Sequence, residues 1–152
     1  MKLLVCVDGS LHSQNATEKA VLIAEGLNID EIAVIHVYDG RQDVPSFTVG
    51  SDGYVPEEQV ERFIKLQKEN EQERKNIAND AIKLFENKGL KAHPILAEGH
   101  PANTIVKIAK EEKYDMIVMG SRGLGGLKKF FLGSVSNAVA QETKDCTVVI
   151  VK

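Results

Sequence analysis

Five short apolar runs, separated by stretches of helical periodicity, constrain the fold of this chain more than any other feature. Leu3 to Val7 is continuously apolar, as expected of a strand covered on both faces. Asp8-Gly9-Ser10 breaks the run, and from about Ser13 to Gly26 the residues Ala16, Ala20, Ile23 and Ala24 recur at helical spacing. Ile32 to Val37 is the second run. Residues 39–56 carry Gly40, Pro45, Gly50, Gly53 and Pro56, which predicts a long loop. Glu57 to about Lys88 reads as one helix ended by Gly89. Its middle, residues 67–76, is almost wholly polar and reads as a solvated face. Its later part, with Ile77, Ala78, Ala81, Ile82 and Phe85, is the side able to pack on a sheet.

Leu90 to Ala97 is a third strand, interrupted by Lys91, His93 and Pro94 in a way that suits a sheet edge. Gly99-His100-Pro101 opens another helix, with Pro101 near its first turn. Asp115 to Met119 gives the fourth strand, Ser134 to about Glu142 the last helix, and Thr147 to Val151 the last strand. Strands and helices alternate throughout. This pattern predicts an α/β fold with a parallel five-stranded sheet and helices on both faces. With 152 residues and no internal repeat or linker, the chain is expected to be a single domain over 1–152.

The charge balance narrows the function. A net charge of -3 supplies no global basic field, so nucleic acid is not an expected partner. No apolar run approaches the length of a bilayer span, so no membrane association is expected. Met1 to Asp8 is too short in apolar residues for a signal-peptide core, and a cytoplasmic location is the expectation. Cys6 and Cys146 lie in or beside apolar runs and read as buried reduced thiols. His12, His36, His93 and His100 are scattered singly and indicate no metal cluster.

The chemistry concentrates in residues 119–137, MGSRGLGGLKKFFLGSVSN, between a strand and a helix. In an open parallel sheet, ligands bind beyond the carboxyl ends of the strands, where the strand order reverses. Two turns fit that place: Asp8-Gly9-Ser10 after the first strand, and Gly120-Ser121-Arg122-Gly123 after the fourth. If those strands are neighbours, both turns face one crevice. Gly133-Ser134-Val135-Ser136 opens the last helix, where unpaired N–H groups and the helix dipole favour an anion. Gly133 would let a phosphate approach, the Ser134 and Ser136 hydroxyls can cap or donate, and Gly120 and Gly123 would permit a sharp turn near a sugar or phosphate. Gly123-Leu124-Gly125-Gly126-Leu127-Lys128 fails G-x-G-x-x-G at its last position, and no Gly-Lys-Ser/Thr follows, so neither a dinucleotide fingerprint nor a P-loop is present.

The spacing Gly120-x2-Gly123-x9-Gly133-Ser134 resembles the ATP-binding signature G-x2-G-x9-G-[ST] of the universal stress protein family. The resemblance runs along the whole chain, through Val5-Cys6-Val7-Asp8-Gly9-Ser10, His36-Val37, Glu98-Gly99-His100-Pro101, Asp115 to Gly123, and Leu132 to Ser136. It implies a Rossmann-like sheet, similar to the adenine nucleotide alpha hydrolase fold, in the order 3-2-1-4-5. It implies ATP and Mg²⁺ as ligands, with Asp8 beside the nucleotide and its metal. Val37 would meet adenine through its backbone, and Met119 and Gly120 would line base and ribose. Gly123, Gly133, Ser134, Val135 and Ser136 would hold the phosphates. It also implies a homodimer joined through strand 147–151. Thr147 departs from the proline that many members carry before the last strand, which bears on local strand geometry.

Each of these residues has a plainer reading. Asp8 alone reads equally as a turn cap or a metal and ribose contact; the rest of the motif favours the ligand. Arg122, Lys128 and Lys129 read as surface cations as well as phosphate neighbours. Phe130 and Phe131 read as anchors of the loop, and Gly125 and Gly126 as loop flexibility. No His or Cys constellation offers a nucleophile with its base. The leading expectation is an ATP-binding stress-response regulator. The alternatives are a weak ATPase or nucleotide-hydrolysing enzyme on the same fold, and a dimeric interaction module indifferent to nucleotide.

Overall fold

The computed structural model describes residues 1–43, 45–50, 53–125 and 132–152. Five strands, β1 (Lys2–Cys6), β2 (Glu31–Tyr38), β3 (His93–Glu98), β4 (Met116–Gly120) and β5 (Thr147–Val151), form one sheet in the order β3-β2-β1-β4-β5. Every neighbouring pair is parallel. The helices are α1 (Leu11–Gly26), α2 (Glu57–Glu86), α3 (Pro101–Glu111) and α4 (Ser134–Glu142). The expected strand order and connectivity are both present.

The central strands are apolar on both sides because both sides are covered. Leu3, Val5 and Val7 pack with Ala16, Ala20, Val34, Phe85 and Val118 under α1 and α2. Leu4 and Cys6 pack with Ile35, Ile105, Tyr114, Ile117, Met119 and Val139 under α3 and α4. The alanines of α1 let that helix lie close against β1 and β4, as small side chains on a helix face permit.

Local differences from the expected boundaries have physical reasons. A single 3-10 turn, Gly40–Asp43, stands inside the segment read as loop. β3 begins at His93 and not at Leu90. Gly89 ends α2 with a φ of 72°, and Leu90 and Ala92 turn inward to pack on the α1–α2 side before pairing starts. β3 lies at the sheet edge, where Pro94 and its missing N–H are tolerated.

Candidate functional site: a cleft between β1 and β4

The chain leaves β1 towards β2 on one side and leaves β4 towards β5 on the other, so β1 and β4 flank the switch point of the sheet. A cavity of about 580 Å³ opens there. It is lined by Asp8, Val37, Met119, Gly120, Gly123, Gly133, Ser134, Val135 and Ser136 together, so all the site residues expected from the sequence meet in one place.

The β1 exit is a tight turn. Gly9 has a φ of 79°, a conformation that a side chain would strain. The Ser10 N–H donates to Asp8 Oδ1 at 3.0 Å, and the Ser13 N–H donates to Ser10 Oγ at 3.2 Å. α1 therefore caps its own start. Asp8 is tied down through one oxygen, and its other oxygen, Oδ2, lies against Gly123.

α4 starts differently. Its capping residue is Gly133, and no side chain caps its first turn. Among the described residues, the N–H groups of Ser134, Val135 and Ser136 have no acceptor. The Gly133 N–H is occupied, donating to Ser121 O at 2.8 Å. The buried Ser136 hydroxyl stands 3.0 Å from Ser121 O and 3.0 Å from Gly133 O, and holds the helix start against the β4 exit. What this turn offers an anion is backbone N–H groups and the positive end of the helix.

The glycines serve the packing of the site before they serve any ligand. A Cβ on Gly120 would stand 2.7 Å from the His12 carbonyl carbon and oxygen. One on Gly123 would stand 2.5 Å from Asp8 Oδ2, and one on Gly133 would stand 3.3 Å from Ser121 O. The missing side chains thus face protein atoms, where the sequence alone suggests room for sugar and phosphate.

The opposite end of the cavity is apolar. Backbone groups along a strand alternate between its two neighbours. Ile35 O faces β1 and accepts the Val7 N–H at 2.9 Å, whereas Tyr38 O faces β3 and accepts the Gly99 N–H at 2.9 Å. The Val37 N–H and C=O therefore face the β1 side, beyond the point where β1 has ended. Neither has a partner among the described residues. Ile35, Pro101, Ile105, Met119 and Cys6 wall this end. Sequence reasoning did not assign Ile35, Pro101 and Ile105 to the site. Their signal was available: Ile35 shares the strand face of Val37, and Pro101 and Ile105 are one helical turn apart.

Burial pushes the Cys6 thiol far above its ordinary range, so it is a wall and not a nucleophile. Arg122 and Gly125 also line the cavity, while Gly126, Lys128, Lys129, Phe130 and Phe131 lie outside the described residues. Among the described residues no group of three or more His, Cys, Asp or Glu side chains is placed to hold a metal. No described helix is long and apolar enough to cross a membrane. The site suits a ligand with a flat apolar group carrying a polar edge at one end and negative charge at the other.

Comparison with known proteins shows the family and the fold. The universal stress protein family matches residues 1–152. Universal stress protein YxiE of Bacillus subtilis is 39% identical over 160 residues, spanning 99% of this chain and 98% of its own. The solved structure of MJ0577, a Methanocaldococcus jannaschii protein, superposes with a TM-score of 0.76 at 30% identity, over 99% of this chain and 94% of its own. A universal stress protein from Archaeoglobus fulgidus, solved in complex with dAMP, shares the fold with a TM-score of 0.62 at 18% identity, over 100% of this chain and 98% of its own.

Proposed function

We propose that this chain, which belongs to the universal stress protein family, binds ATP with Mg²⁺ and acts as a nucleotide-dependent regulator in the response to stress. One observation carries the reading: the unpaired Val37 backbone edge and the unpaired first-turn N–H groups of α4 stand at two ends of one cavity. Adenine presents an acceptor at N1 and a donor at N6, matching a backbone N–H and C=O, and its faces suit the wall of Ile35, Ile105 and Met119. The phosphates take the N–H groups of Ser134, Val135 and Ser136. Adenine nucleotides are also what the Archaeoglobus fulgidus relative was solved with.

The donor set at Asp8 fits Mg²⁺. One carboxylate with a free oxygen, completed by phosphate oxygens and water, is the way this ion is held at nucleotides. When bound there, Mg²⁺ neutralises phosphate charge that the Asp8 carboxylate would otherwise repel. Asp8 holds its position through the Ser10 N–H and through contact with Gly123. Among the described residues no nucleophile is paired with a base in the cavity, and the ligand is read as a signal and not as a fast-consumed substrate.

The proposal includes a homodimer through β5. Among the described residues no strand pairs with the outer edge of β5, which carries no proline or charge within Thr147–Val151 and adjoins the exposed Leu22 of α1. Calorimetry on nucleotide-stripped protein tests the central reading. MgATP is expected to bind and to raise the melting temperature, with MgGTP far weaker. No heat and no thermal shift at millimolar MgATP would overturn it.

A further inference from the structure

β1 and β2 pair as far as Cys6 and Ile35, and the next rung of their ladder is only half built. In a regular parallel pair Val7 would donate to Ile35 and accept from Val37. The first bond is present, Val7 N–H to Ile35 O at 2.9 Å. The second is not made. Val7 O lies instead 2.9 Å from His36 Nδ1. A carbonyl only accepts, so Nδ1 carries the hydrogen. His36 is 8% exposed, and Val7 and His36 sit opposite one another on the same face of the sheet.

We infer that His36 is a positioning residue: its imidazole takes the Val7 carbonyl out of the ladder and so keeps the Val37 N–H open to a base. The ligand side of the inference rests on the adenine-nucleotide reading of the cavity. A strand that continued its ladder by one more bond would consume the donor that adenine N1 requires. The side chain of His36 points away from the cavity, yet it decides what the cavity presents. Base selectivity then follows from backbone order. Hypoxanthine carries a hydrogen at N1 and an acceptor at C6, the reverse of adenine, so the Val37 pair discriminates between the two.

The test compares wild type with His36→Asn and His36→Val. The Asn amide nitrogen stands the same number of bonds from the backbone as Nδ1 and retains the donor. Valine removes the donor, suits a strand interior, and allows the Val37 N–H to close on Val7 O. In nucleotide-free protein, Val37 amide exchange is expected to be fast in wild type and His36→Asn. In His36→Val it is expected to be about tenfold slower or more. By calorimetry, wild type and His36→Asn are expected to prefer MgATP to MgITP. In His36→Val, MgATP affinity falls by about tenfold, the preference collapses, and binding of inorganic triphosphate is unchanged. A merely structural role predicts lost stability with the preference intact in His36→Val, and that outcome overturns the inference. Unchanged Val37 exchange in His36→Val overturns it too, whatever the nucleotides do. Should His36→Val fail to fold, wild type still decides: a slowly exchanging Nδ1 hydrogen with a fast Val37 amide supports the inference, and the reverse order overturns it. Absence of MgATP binding by wild type removes the functional reading, while the exchange measurement still judges His36.

Discussion

A methyl group added at Gly120 and one added at Gly123 meet neighbours of very different stiffness. At Gly120 the obstacle is the His12 backbone in the first turn of α1, 2.7 Å away, which cannot move without shifting the helix. Gly120→Ala is therefore expected to lose about 1–3 kcal/mol of stability in urea denaturation. At Gly123 the obstacle is the tip of the Asp8 side chain, which can rotate aside. Gly123→Ala is expected to keep a near wild-type urea midpoint and to lose MgATP affinity, because Asp8 no longer stands where it did. A second residue-scale expectation concerns Glu31. Its carboxyl is held below the ordinary 4.5, first by the hydrogen bond from Lys2, whose Nζ lies 2.9 Å away. A carboxylate whose value is depressed in the folded chain stabilises it above the unfolded value and loses that contribution on acidification. The difference in urea midpoint between wild type and Glu31→Gln is thus expected to be present near neutral pH and to shrink as pH falls through and below 4.5. Gly120, Gly123, Gly133 and Ser134 were legible from their spacing and Asp8 from the turn after the first strand, whereas Val37 and Met119 came only from the resemblance to a family. The reasons for the glycines were not legible, because the atoms that Gly120, Gly123 and Gly133 avoid belong to segments distant in sequence or to loop backbone whose path no motif records.

Among the elements, α2 is the one whose two halves differ most. Its 30 residues span about 45 Å. Its buried side chains, Ala78, Ala81, Ile82 and Phe85, all fall in the last turns. The earlier turns are held by surface contacts: the Phe47 and Phe63 rings meet edge to face at 5.8 Å, Arg74 lies over the Tyr38 ring at 3.8 Å, and Lys75 pairs with Glu71 at 2.5 Å. The ion pair is worth tenths of a kcal/mol and the ring pair about 0.5–1.5 kcal/mol. Hydrogen exchange is expected to be much faster over residues 57–74 than over residues 78–86. Phe85→Ala, at a fully buried position, is expected to cost about 3–5 kcal/mol. The polar middle of this helix and its packing end were legible from periodicity. The start of β3 was not, since Leu90 and Ala92 are apolar for a packing reason that looks the same as strand pairing along the chain. The backbone edge at Val37 was equally hidden from the residues themselves. Which way a strand N–H points depends on register with its neighbour, and side-chain type does not encode it.

At the scale of the molecule, the two edges of the sheet are managed differently. β3 carries Pro94 and ends on Glu98, which discourage further pairing, while β5 presents Thr147 to Val151 with neither proline nor charge inside the strand. Light scattering at micromolar concentration is expected to give twice the chain mass, and a monomer mass would contradict the proposed β5 dimer. The alternation of strands and helices was legible from apolar runs, but it left the strand order open; the order came from the resemblance to a family. That order matters because it puts the β1 and β4 exits side by side and makes one cleft of two distant sequence motifs. The most direct measurement of the whole account is a backbone amide NMR titration of nucleotide-stripped protein with MgATP. The account predicts that the amides of Val37, Ser134, Val135 and Ser136 shift together and saturate at one stoichiometric site. Saturable binding that leaves these four amides unmoved, or no shift anywhere at millimolar MgATP, would contradict it.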